Sequence, residues 1–144
     1  SLRRQRQMCI RDSFNVDGDG EIIYTRPLNE VPRATWHRNT GSIAIALCCC
    51  YNARPDDLGE YPPTEAQIET LAKMFAVISE VFDNPIDREH FMTHGEAAND
   101  DGYGLYSGDP DCRWDLEQLC DQDEIGTGGD ILRGKAQWYL ENGV

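Results

Sequence analysis

At 144 residues the chain is long enough for one domain with a real core, and its 40% hydrophobic and 27% charged content is ordinary for a globular protein. A formal net charge of −13 argues against a nucleic-acid partner, because phosphate contacts need Lys and Arg. The longest apolar run, Ile43 to Tyr51, is too short to span a bilayer, and the basic N-terminus lacks the apolar stretch of a signal peptide.

The charge is uneven. Residues 1–13 carry Arg3, Arg4, Arg6 and Arg11 against Asp12, a net of +3 that leaves −16 on the remainder. Phe14 to Tyr24 then reads as strand, tight turn and strand, with the Asp-Gly pairs supplying the positive φ of a hairpin turn. Arg26 to Arg38 is loop, interrupted by Pro27 and Pro32. Ser42 to Cys50 is continuously apolar and predicts a central strand buried on both faces, followed by a surface loop over Asn52 to Pro63.

A helix follows. Thr64 and Gln67 fit a capping box, and Ile68, Leu71, Ala72, Phe75, Ile78 and Phe82 recur at helical spacing until Asn84-Pro85 stops them. Phe91 to Thr93 predicts a short strand leading into His94. Thr93 to Leu116 reads as a loop too rich in Gly and Asp for helix or strand. Asp130 is a candidate cap for a last helix with Ile131, Leu132, Ala136 and Tyr139 or Leu140 on its apolar side. Strands interleaved with helices predict an α/β or α+β fold on one mixed sheet, with helices flanking it.

Several patterns invite a site. Asn15 to Ile22 copies the front of a calcium-binding loop, but its twelfth position is Arg26 rather than a bidentate Glu, so an acidic hairpin turn is the better reading. A calcium-stabilised structural module stays as a third class of function. His94-Gly-Glu96 with Pro110 and Cys112 imitates half of a zinc deaminase, but Asp111 and the distant Cys120 break the second half. His90 sits among charged residues and reads as solvated, and His37 as a packing or substrate-contact residue. The six cysteines lack a CxxC pair or a disulfide spacing and read as buried free thiols in a reducing compartment. His94 has Asp109 and Asp115 downstream within loop reach, an imidazole and carboxylates that suit a metal.

Five motifs occur in a familiar order: Trp36-His37, Gly41 to Leu47, the Pro-Thr-Glu-Ala-Gln helix start, Thr93-His94-Gly-Glu96, and Arg113-Trp114-Asp115. Together, over about Phe14 to Leu140, they resemble the zinc-dependent N-acetylmuramoyl-L-alanine amidases of the type-2 amidase and peptidoglycan-recognition fold. The resemblance implies a zinc held by two His and one Asp or Cys, with an open position for water. It implies hydrolysis of the amide between N-acetylmuramic acid and the L-alanine of the stem peptide. His94 matches the second histidine and Asp115 the third ligand, with Asp109 of Asp109-Pro110 as the fallback. Arg113 stands where the family has an oxyanion-supporting Lys, and Ala46 where some members have a Glu. Trp36 and His37 are implied substrate contacts. The implied partner is peptidoglycan or a muropeptide, met by a monomer, and a non-catalytic peptidoglycan-binding module is the alternative.

No histidine precedes His37, so the family's first zinc histidine has no counterpart here, and its catalytic Tyr falls on Asp12. Met8 to Ser13 resembles one reading frame of a transposon adaptor used in sequencing libraries. Residues 1–13 are accordingly expected to be non-native, and 14–144 an amidase-like domain incomplete at its N-terminus, lacking its first strand and helix, so that the chain as it stands is expected to bind zinc poorly or not at all. A native basic arm that touches a partner is the other reading.

Overall fold

The computed structural model describes residues 12–144. Most of the adaptor-like head lies outside the described residues. Its last two residues are buried, and the Ser13 amide donates to Ala44 O at 2.9 Å while its carbonyl accepts from Thr25 and Arg26.

The expected hairpin is present. Strand β1 (Phe14–Val16) pairs antiparallel with β2 (Ile22–Tyr24), Phe14 opposite Tyr24 and Val16 opposite Ile22. Asp17 closes the turn, its Oδ1 accepting from the amides of Asp19 and Glu21 at 3.0 and 2.9 Å. Gly20 has φ +83°, and a Cβ there would lie 2.8 Å from Thr70 Oγ1. Both the turn and its close approach to the following helix require glycine.

Strand β3 (Ile45–Leu47) lies parallel to β1, giving the sheet order β2-β1-β3. The expectation of a long central strand over Ser42 to Cys50 is corrected. Pairing covers three residues, these are half-buried, and among the described residues β3 is an edge while β1 is central. Cys50, at φ 60°, turns the chain away, and its amide donates to Tyr61 O instead of a neighbouring strand. An apolar run signals burial, not the extent of a ladder.

Helix α1 (Glu65–Phe82) begins and ends as expected, with the Thr64–Gln67 capping box at one end and left-handed Asp83 before Asn84-Pro85 at the other. Leu71 and Ala72 are buried, whereas Phe82 is 51% exposed and lies beyond the core. Gln67 is fully buried for a reason: its Nε2 donates to Val16 O and Cys48 O, both at 3.1 Å. The cap residue's neighbour on the helix thereby satisfies carbonyls at the ends of two strands.

Helix α2 (His94–Asp101) overturns two expectations. Phe91 to Thr93 is not a strand, and the Gly/Asp segment opens with two turns of helix. Thr93 accepts from Glu96 N at 3.1 Å and Glu96 returns a bond to Thr93 N at 2.9 Å, a second capping box. Only the part after Gly102 is irregular, apart from a parallel bridge between Gly104 and Arg113.

Helix α3 (Gly128–Asn142) starts two residues earlier than Asp130, which sits in its first turn and pairs with Arg133 rather than capping. The start is set by packing: Gly129 faces the Glu96 carboxylate so closely that any Cβ would collide with it. Leu132 and Ala136 are buried, Tyr139 bonds Glu69 of α1, and Leu140 points outward. Helix α3 packs on α1, and Leu71, Leu119 and Leu132 centre the core, with Ile45, Leu47, Ile68, Phe75, Leu116 and Ile131 against it. The class is α+β, as expected, with a mixed sheet and helices packed on it.

Candidate functional site

The capping box that starts α2 decides where His94 points. As the first helical residue, His94 projects from the helix end, and its Nδ1 lies 3.0 Å from Asp115 Oδ2. The backbones reinforce this, Gly95 N donating to Asp115 O at 3.1 Å, while Leu116 at φ 62° turns the chain directly after the carboxylate. Protein around Asp115 disfavours its charge, but the hydrogen bond and the charge of His94 outweigh that, and the carboxyl sits below its usual range. Of the two candidate partners, Asp115 is the one paired with His94. Asp109 is exposed, and its Oδ1 accepts from Asp111 N at 2.8 Å.

Beside this pair opens a cavity of about 390 Å³ lined by Ala34, Trp36, His94, Tyr103, Asp109 and Arg113. Trp36 is 62% exposed and meets the Tyr103 ring edge-on at 5.7 Å, and Tyr103 in turn faces the His94 ring at 6.2 Å. The loop bearing Trp36 is held from both sides. Asn39 Oδ1 accepts from Ala34 N and Thr35 N, and Arg38 makes a two-bond fork with Asp101 at the C-terminal end of α2. Arg113 N donates to Tyr103 O, setting the guanidinium on the cavity wall.

The expected site residues therefore divide. Trp36, His94, Arg113 and the fallback Asp109 share one cavity, and Asp115 reaches it through His94. His37, at φ 63°, packs on Trp36 with ring centroids 3.7 Å apart but is not among the cavity walls. His90, read as solvated, is exposed and bonds Asp87 at 2.7 Å. The carboxylate of Asp17 is engaged by its own turn, in keeping with the hairpin reading.

Two further residues belong here: Tyr103, which no periodic signal would have revealed, and Asp12, which stands where the resemblance places a catalytic Tyr. Tyr103 lines the cavity with its hydroxyl buried and unpartnered among the described residues. Asp12 is buried, and burial pushes its carboxyl up to about 6, against the favourable charge of His94 and with the repulsion of Asp115. The folded state then holds a proton that the unfolded state, near 3.8, has released. Stability from this group is present below 3.8 and is lost as pH rises through about 6. Asp12→Asn is expected to raise stability at pH 7 by about 2–3 kcal/mol. The gain should vanish below pH 4, as read from urea unfolding in chelator across that range. A gain that does not change with pH would disprove the assignment.

The donor chemistry bears on zinc. Imidazole nitrogen and carboxylate oxygen are ordinary zinc ligands, and two such donors on one tetrahedral ion lie about 3.3 Å apart, close to the 3.0 Å seen here. Among the described residues no third His, Cys, Asp or Glu joins the pair.

No curated protein and no solved structure matches the chain. The family model described as N-acetylmuramoyl-L-alanine amidase matches residues 2–110, a span that holds Trp36, His37, His94 and Asp109 and stops before Arg113 and Asp115. With three-quarters of its length matched and an α+β fold that suits it, the chain belongs to the N-acetylmuramoyl-L-alanine amidase family, amidase-type hydrolases that act on peptidoglycan.

Proposed function

We propose that the His94–Asp115 pair is part of a zinc centre that hydrolyses the amide between N-acetylmuramic acid and the L-alanine of the stem peptide. The observation that carries this reading is the 3.0 Å approach of two zinc-type donors at the edge of a cavity large enough for a muropeptide segment. Bound zinc would supply Lewis acidity to the scissile carbonyl and to the attacking water. The chain's own residues do the rest. Trp36 offers an exposed aromatic face for the sugar or the lactyl methyl, and Arg113 donates to the oxygen that gains charge as the carbonyl is attacked. Arg113 cannot take a proton from water, because a guanidinium stays charged, so its part is electrostatic.

The test, with the segment bearing the family's first zinc histidine restored at the N-terminus, pairs zinc titration with release of stem peptides from purified cell walls. His94→Ala and Asp115→Ala should each abolish zinc uptake and peptide release, while Asp109→Ala should leave zinc uptake intact. Wall binding without peptide release in a zinc-loaded chain would favour the non-catalytic binding module. Zinc uptake unchanged in both His94→Ala and Asp115→Ala would overturn the proposed centre.

A further inference from the structure

The cavity beside His94 has one charged wall to which the hydrolytic reading gives no task. Asp109 and Arg113 both line it, yet among the described residues no ion pair joins them. One loop carries both charges. Its base is closed by the bridge between Gly104 and Arg113, with Arg113 N donating to Tyr103 O at 3.0 Å. Within the loop, Ser107 Oγ donates to Gly104 O at 2.7 Å and accepts from Asp109 N at 3.2 Å. Cys112 N donates to Asp109 O at 3.1 Å. The carboxylate itself is oriented, because its Oδ1 accepts from Asp111 N at 2.8 Å. Its other oxygen, Oδ2, meets no donor among the described residues. A carboxylate held in place thus offers one open oxygen to a ligand, and holding it beforehand lowers the entropy cost of binding.

We propose that Asp109 reads the free side-chain ammonium of the diamino residue in the stem peptide, so that the cavity takes stems that are not cross-linked. The inference rests on the muropeptide reading of the same cavity. An open carboxylate oxygen with no paired cation calls for a ligand that brings its own positive charge, since charge-assisted hydrogen bonds are the strong ones. The remaining groups of a stem peptide are amides, carboxylates and alkyl carbons, so the diamino side chain is the one that supplies such a charge. Cross-linking converts that amine to an amide, which removes the charge and two of its three N–H donors. Arg113 and Asp109 give the ligand a direction: the scissile carbonyl lies at the Arg113 and His94 end, and the stem runs toward Asp109. On cross-linked wall, the class of reaction that must supply this substrate is hydrolysis of the peptide cross-link. Asp109 is exposed, so water and salt screen the contact and its effect on affinity is about two- to fivefold.

The test titrates the full chain, in chelator, with two soluble muropeptides of the same muramyl-L-alanyl-D-isoglutaminyl-L-lysine sequence. One has the lysine amine free and the other has it acetylated. Calorimetry is expected to show the free amine bound about two- to fivefold more tightly, with the difference shrinking at high salt. Asp109→Asn keeps an Oδ1 acceptor for Asp111 N, and so the loop, and should remove the preference by weakening the free-amine form alone. Asp111→Asn lies off the cavity wall and should retain the preference, which separates a local contact from the general negative charge of the chain. Equal binding of the two muropeptides, binding of neither, a preference that survives Asp109→Asn, or one lost equally in Asp111→Asn would overturn the proposal. Failure of the hydrolytic reading looks different: the preference stands, but the zinc-loaded chain with its N-terminus restored releases no stem peptide.

Discussion

Arg133→Ala is expected to destabilise the protein by about 3–5 kcal/mol, the cost of leaving a buried charge without its partner. Arg133 is 7% exposed and Glu96 8%, and the two are joined by a fork of two 2.8 Å bonds. The guanidinium also donates to Phe91 O and to Asp130, so four bonds converge on one side chain. Burial alone would raise the Glu96 carboxyl. The bonds from Arg133 and Thr93 and the charges of Arg133 and Arg88 outweigh it and hold the carboxyl below its usual range. Its stabilising contribution is therefore present above the unfolded value near 4.5 and is lost as pH falls through the lowered folded value. Urea unfolding at pH 7 and at pH 3 should show the gap between wild type and Arg133→Ala narrowing on acidification. A gap that is equal at both pH values would mean that Arg133 acts by packing and not through Glu96. The effect reaches the site because Glu96 is the third residue of the capping box that begins with Thr93 and aims His94.

Arg113→Ala is expected, on the amidase reading, to lower kcat by about 10²–10³-fold with KM changed far less, as for loss of one donor to a developing oxyanion. Arg113 stands on the cavity wall with His94, and its backbone is pinned to Tyr103 O, so removal of the side chain should not move the loop. Arg113→Lys should recover most of the rate, because a single ammonium donor suffices for a single oxygen. Steady-state release of stem peptide from a soluble muropeptide separates the outcomes. A raised KM at unchanged kcat would place Arg113 in ground-state substrate binding instead.

Local chemistry was legible wherever a few neighbouring residues decide the conformation. The Asp-Gly turn between β1 and β2 and the Thr64–Gln67 start of α1 follow from rules that act within a few residues, and the structure has both. The same rule applied to Thr93 and Glu96 would have revealed α2. The Gly and Asp content after Gly102 obscured it, and those residues belong to the segment beyond the helix. Ser42 to Cys50 misled for a related reason: hydrophobicity records burial, and half-buried loop thiols carry the same signal as strand.

By itself the sequence determined the family motifs in order, the hairpin, the ends of α1, and a histidine followed by two aspartates within loop reach. The tertiary structure decided which carboxylate meets His94, that Tyr103 and Asp12 belong beside it, and that α3 begins where Gly129 can accept the Glu96 carboxylate. The physical reason is range. Caps and turns are satisfied by bonds within a few residues, whereas a pairing across 21 residues depends on how a helix end and a loop are held together by the rest of the fold.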